Sequence, residues 1–190
     1  MKTKAVFDFL LALLLLPLVL PLILLLFLIA FVDTGQSGFF IQNRIGKNAK
    51  VFKIYKIRTM KGNQESDITT SKTHQLTRIG KFIRNTKLDE LPQIFNILLG
   101  QMSFVGPRPD VPGYADLLKG DDRIILTVKP GITGPAQLKF RNEEEILNLQ
   151  QNPVKYNDEV LWPEKVKINV DYVNNWSFAG DLKYMLKTVF

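Results

Sequence analysis

Residues 5 to 32, AVFDFLLALLLLPLVLPLILLLFLIAFV, are apolar at almost every position, and Asp8 is their only charge. About 20 apolar helical residues cross a bilayer, so this run is long enough. Lys2 and Lys4 give it the basic start of a cleaved signal peptide. A signal h-region is shorter, however, about 7 to 15 residues, and ends at a small-residue site that is missing here. Pro17 and Pro21 lie near the middle of the run. An interior proline removes a helical hydrogen bond and kinks the helix. A single span and a helix that enters, bends and leaves by the same face both fit this pattern.

Beyond residue 33 the pattern turns polar and mixed. GFFIQNRIGKNAKVFKIYKIRTM holds two short extended runs, Phe39–Ile41 and Val51–Ile57, around a turn at Gly46 to Asn48. Residues 61–77 form a polar loop without periodicity. In RIGKFIRNTKL, Ile79, Phe82 and Ile83 share a helical face from which Arg78, Lys81 and Arg84 are excluded. Such a basic amphipathic turn suits a membrane interface, or an ordinary packed surface helix. Leu91, Ile94, Phe95, Leu98 and Leu99 then follow helical spacing, and Gly100 is a natural stop. Pro92 belongs in the first turn, which predicts Asp89 as N-cap and Glu90 as the first helical residue. In SFAGDLKYMLKTVF, Phe178, Leu182, Met185, Leu186 and Val189 share one face, for membrane or core. The fold class expected is mostly α with a small β element. Residues 1–33 are expected to form the membrane segment and 34–190 a compact α/β domain.

Charge sharpens this picture. The 190 residues carry 25 Lys+Arg against 18 Asp+Glu, net +7. Between Thr34 and Gln64 there are seven basic residues and no acid. The apolar run therefore has basic flanks on both sides, which favours the cytoplasmic side for each and a re-entrant course. The cationic stretch also suits anionic headgroups. There is no cysteine and one histidine, His74, so disulfide frameworks and the usual zinc sites are excluded. No P-loop or dinucleotide fingerprint occurs.

The chemistry then rests on Asp89 and Glu90. As a cap and a dipole partner they need do nothing more. As chemistry they offer a carboxylate nucleophile beside a second carboxylate. Arg108, held between Pro107 and Pro109, is restricted before it binds anything. In VKPGITGPAQ, Lys129 and two glycines can bring a cation and backbone amides close to phosphate oxygens. Arg141 stands beside an acidic helix start.

In this order and spacing, QNRIGKNAKVFKIYKIRTM, TRIGKFIRNTKLDELPQIFNILLGQMSFVGPRPD, VKPGITGPAQ and DYVNNWS resemble the bacterial sugar transferase family, the small monotopic phosphoglycosyl transferases. The resemblance implies a re-entrant helix-break-helix with Pro21 at the break, interfacial amphipathic helices and a cytoplasmic catalytic domain. It implies transfer of a phosphosugar from a UDP-sugar to polyprenol (undecaprenyl) phosphate with release of UMP, the first membrane step of bacterial glycoconjugate synthesis. Asp89 is the implied nucleophile and Glu90 its partner in the dyad; both are candidate ligands of Mg²⁺, and proton handling is the other role open to Glu90. The implied substrate-binding set is Lys56, Arg58, Arg84, Arg108, Lys129, Gly131, Thr133, Gly134 and Arg141. The partners are nucleotide sugar, polyprenol phosphate, membrane lipid and downstream glycosyltransferases, without nucleic acid, at the cytoplasmic face of a bacterial inner membrane. The chain departs from the family pattern at three points. Leu20 precedes the break proline where serine is common, Asn169 stands for an acid in NVDY, and QLKFRN lacks a glycine. A non-catalytic membrane anchor binding anionic lipid or nucleic acid through its basic stretch is the alternative. One apolar segment argues against a multi-spanning enzyme of the same broad chemistry.

Overall fold

A computed structural model of the chain describes residues 2–62 and 75–189. His74 and most of the polar loop lie outside the described residues. The chain is mostly helical, with three small two-stranded sheets among the described residues. It divides into two compact units, residues 1–43 with 53–100, and residues 44–52 with 101–190. This partition falls inside the stretch 34–190 that the sequence assigns to one domain.

The first unit opens with α1 (Lys2–Thr34), which contains both Pro17 and Pro21. The expected break at Pro21 is therefore not a break in secondary structure. A proline forfeits one backbone hydrogen bond, and the turns on either side persist. At about 1.5 Å per residue α1 is about 50 Å long, more than the roughly 30 Å of a hydrocarbon core. It is the one helix among the described residues long and apolar enough to cross a membrane. Its apolar side chains are largely exposed, with Leu18 at 76 % and Val32 at 81 %. Ile23, Leu26, Ala30 and Thr34 form a buried stripe at helical spacing, and α1 packs against α3 (Gln93–Leu98). Near its start, buried Lys4 and Asp8 face each other at 3.9 Å, one turn apart.

The exit from α1 is tied down. The Asp33 carboxylate accepts from the Thr77 hydroxyl, whose oxygen accepts in turn from the Gly80 amide and so caps α2 (Arg78–Asn85). A Cβ on Gly80 would meet the Thr59 carbonyl oxygen at 2.0 Å, so only glycine lets α2 lie this close. Ile83 is buried beneath α2, while Ile79 and Phe82 are exposed. The two extended runs form β1 (Phe39–Ile45) and β2 (Val51–Ile57), paired around a short 3₁₀ turn at Lys47–Ala49. The ends of the polar loop also pair, as β3 (Met60–Lys61) and β4 (Gln75–Leu76), antiparallel.

The second unit is built around β5 (Ser103–Val105) and β6 (Gly131–Thr133), which are parallel. Ser103 is opposite Gly131 and Val105 opposite Thr133. One core cluster joins Ile45, Ala115, Ile125 and Leu126, with Trp162 and Val170 packed on it. Short helices follow: α4 (Pro135–Lys139), α5 (Glu143–Asn148) and α6 (Pro153–Tyr156). In α7 (Trp162–Asn174), Tyr172 is buried and donates to Asp181 Oδ1 at 2.7 Å, and Trp176 donates to Oδ2 at 2.9 Å. Asp181 thereby anchors α8 (Phe178–Val189), leaving Phe178, Leu182 and Leu186 as an exposed apolar stripe.

Candidate active site

The site is assembled in the first unit from two pieces of chain. β2 delivers Lys56. The segment between α2 and α3 delivers Asp89 and Glu90. After α2 the chain passes through Lys87 in the left-handed region (φ 58°), which reverses it tightly. A 3₁₀ turn at Leu88–Glu90 follows, and α3 starts only at Gln93. This corrects the sequence expectation. Asp89 is not an N-cap and makes no capping hydrogen bond; Pro92 stands at the cap position of α3. Pro92 lacks an amide and is fully buried, so the turn before it closes as 3₁₀ rather than as a longer helix. With only six residues in α3, a helix dipole is a minor influence here.

The buried face of α3 also differs from the one expected. Gln93, Ile94, Asn96 and Ile97 are buried, whereas Leu99 is 62 % exposed. The reason is Asn96, which is fully buried. Its side-chain amide donates to the Lys53 carbonyl at 2.7 Å and accepts from the Tyr55 amide at 3.2 Å. Satisfying a buried amide outweighs exposing one leucine. Gly100, at φ 73°, ends the helix as expected.

Lys56 donates from Nζ to Glu90 Oε1 at 2.8 Å and lies 3.6 Å from Asp89 Oδ2. Asp89 is 7 % exposed. Its Oδ1 is buried without a hydrogen-bond partner. Burial pushes the Asp89 carboxyl above the ordinary carboxylate range. The Lys56 ammonium opposes this most strongly, Glu90 adds to it, and Arg84 and Lys87 oppose it more weakly. The result is a dry carboxylate with one oxygen facing a cation and the other unsatisfied. Such a group can attack an electrophile or take up a hard cation.

The other expected site residues sort by unit. Arg84, in the last turn of α2, acts on Asp89 through its charge. Arg58 is occupied differently: Nε donates to the Ser37 carbonyl at 2.8 Å and Nη2 to Phe39 at 3.3 Å, which holds the exit of α1. In the second unit, Arg108 is exposed between its prolines. Next to it, Asp110 is pushed up to about 6 by burial, against the charges of Lys165, Arg44 and Arg108 and with Glu143 adding to the rise. Lys129 is half-buried. The Gly131 amide is taken, donating to the Pro107 carbonyl at 2.9 Å. Added Cβ atoms on Gly131 and Gly134 would lie 2.1 Å from the Gly106 amide nitrogen and 2.4 Å from its carbonyl oxygen. These glycines permit close backbone approach within the unit. Thr133 is buried, sharing a hydrogen bond of 2.6 Å with Thr188, and Arg141 donates to the last carbonyls of α8 at Lys187.

Magnesium is the metal the resemblance implies. No group of three or more His, Cys, Asp or Glu side chains is placed to hold a metal among the described residues. The donors the sequence reading offers are the Asp89–Glu90 pair. That set fits Mg²⁺, which is commonly held by one or two carboxylates and completed by water and substrate phosphate. The unsatisfied Asp89 Oδ1 is the observation in its favour.

Comparison with known proteins places the chain among relatives. The family model described as bacterial sugar transferase matches residues 1–190. The chain is 36 % identical over 187 residues to the uncharacterized sugar transferase EpsL of Bacillus subtilis, covering 98 % of this chain and 85 % of that one. It is 33 % identical over 205 residues to the exopolysaccharide production protein ExoY of Sinorhizobium fredii, covering 98 % and 84 %. It is 38 % identical over 159 residues to the UDP-glucose:undecaprenyl-phosphate glucose-1-phosphate transferase of Klebsiella pneumoniae, covering 80 % and 31 %. The chain thus spans about a third of the length of several longer relatives.

Proposed function

The chain belongs to the bacterial sugar transferase family, and from that premise we propose that it moves a sugar 1-phosphate from a UDP-sugar to undecaprenyl phosphate through a covalent intermediate on Asp89. The observation that carries this is the buried Asp89, with one oxygen 3.6 Å from Lys56 and the other unpartnered. An Asp89 oxygen attacks the sugar-bearing phosphorus of the nucleotide sugar. The phosphoanhydride bond breaks and UMP leaves with its bonding electrons. A terminal oxygen of the lipid phosphate then attacks the same phosphorus, which releases the Asp89 carboxylate and forms the lipid diphosphosugar.

Attack by an anion on a diphosphate brings like charges together. Lys56 offsets this by pairing with both carboxylates while keeping Asp89 ionised. Glu90 holds the Lys56 ammonium at 2.8 Å and so fixes where that charge sits. Asp89 and Glu90 would hold the Mg²⁺, which supplies charge neutralisation on phosphate oxygens. The exposed apolar side chains of α1 support membrane association, and the basic flanks of α1 support a re-entrant course from the cytoplasmic face. The exposed apolar side chains of α2, Ile79 and Phe82, then lie at the headgroup level. The product is a lipid-linked sugar that glycosyltransferases extend.

Asp89→Asn keeps the shape of the side chain and removes the nucleophile. We expect loss of UMP release from UDP-sugars, and loss of phosphosugar label on the protein. UMP release by this variant at near the wild-type rate would overturn the covalent mechanism.

A further inference from the structure

We infer that Asn96 is a positioning residue that sets Lys56 against the Asp89–Glu90 pair by holding the edge of β2 not paired to β1. The inference rests on the function proposed above for its activity readout. In a strand, the carbonyl of one residue and the amide of the second residue on point to the same edge. Lys53 and Tyr55 stand in this relation, and the Asn96 side-chain amide binds both, at 2.7 and 3.2 Å. It does there what the peptide group of a neighbouring strand would do.

The consequence for the site is direct. Lys56 follows Tyr55 in the chain, so its Cα is fixed one residue from a pinned backbone. Asn96 itself lies on α3, six residues beyond Glu90, joined by backbone turns from Leu88 to Leu91, from Leu91 to Ile94 and from Pro92 to Phe95. One fully buried amide therefore links the strand that carries the ammonium to the helix that follows the carboxylates. The Lys56 side chain is flexible and needs such a fixed root to hold 2.8 Å to Glu90 and 3.6 Å to Asp89. Asn96 binds the backbone at Lys53 and Tyr55 and acts through Lys56.

The test is a double-mutant cycle on the full chain in detergent, with UMP release from UDP-glucose and UDP-galactose as readout. Asn96→Ala is expected to lower kcat about tenfold, with KM for the nucleotide sugar changed less than about threefold. In the Lys56→Met background, whose residual rate is read with radiolabelled substrate, the same change is expected to cost less than about twofold. A merely structural Asn96 would cost the same factor in both backgrounds, and that result overturns the inference. Asn96→Asp, which loses the donor to Lys53, is expected to behave like Asn96→Ala, and wild-type activity in it also overturns the inference. Two readouts need no activity. Asn96→Ala should speed hydrogen exchange at the Tyr55 amide and acylation of the Lys56 ammonium. If neither changes, the positioning fails. If the wild type releases no UMP while both change, the function fails and the positioning stands.

Discussion

Replacing Lys56 by methionine removes the ammonium and keeps most of the stem, so it isolates charge from packing. The side chain is 16 % exposed, and the carboxylate side chains it faces are 10 % and 12 % exposed. At 3.6 Å and an effective dielectric constant of about 20, the attraction between Lys56 and Asp89 is about 5 kcal/mol. Relaxation and entering water reduce this, and breaking a buried pair typically costs about 3–5 kcal/mol. Asp89 and Glu90 would not stay ionised together at that cost. One of them takes a proton, and Asp89, already raised by burial, is the better candidate. Without the Lys56 ammonium, the strongest influence opposing burial, the Asp89 titration moves further up. An attacking carboxylate must be ionised, so its loss follows falling pH. The wild type should lose activity on acidification with an apparent midpoint above the ordinary 3.8 of aspartate. Lys56→Met should be about ten- to a hundredfold slower at neutral pH and should recover part of that as the pH is raised. The assay is initial UMP release at saturating UDP-sugar across pH 5 to 9, with thermal unfolding as the control for folding. A uniform loss at every pH, with no alkaline recovery, would refute the electrostatic role given to Lys56.

Three further outcomes follow from the packing. Asp110 titrates at about 6 in the fold against 3.8 as the ordinary value, so between those values the folded chain binds the extra proton. Stability therefore falls as pH rises through that window, and Asp110→Asn should flatten the slope in denaturant melts at pH 4 to 6.5. Gly131→Ala sets a Cβ 2.1 Å from the Gly106 amide nitrogen. It should lower stability by about 1–3 kcal/mol or more, and a normal melting curve with only a raised KM would show that Gly131 serves substrate instead. The double change Leu182→Ser and Leu186→Ser removes two exposed apolar groups of α8; it should weaken binding to vesicles of mixed neutral and anionic lipid, measured by flotation, without lowering the melting temperature.

Much of this protein is legible along the chain. The apolar run, the two strands around Gly46, the glycine stop at Gly100 and the amphipathic character of α2 and α8 follow from spacing alone, because each is set by contacts within a few residues. The order of the motifs led to Asp89 and Glu90, and Lys56 came with them. The errors share one cause. Asp89 was expected as a cap and Leu99 as a buried residue, since periodicity assigns faces by apolarity. In the fold, Pro92 tightens the entry to α3 into a 3₁₀ turn, and Asn96 turns the helix toward the β2 backbone. In VKPGITGPAQ, which the sequence offers either as a phosphate-approaching segment or as a structural turn, the Gly131 amide donates to Pro107 and the space beside Gly131 and Gly134 is filled by the backbone around Gly106.

The sequence by itself determined which groups are candidates for the chemistry: a carboxylate pair, a set of cations and an apolar segment. Tertiary structure decided which cation meets the pair and in what surroundings Asp89 stands. Lys56 and Asp89 are 33 residues apart in the chain and 3.6 Å apart in the fold. The dryness that raises the Asp89 carboxyl comes from burial, and no local pattern encodes that. Charge is a property of composition; the dielectric around it and the distance to its partner exist only once the chain has folded.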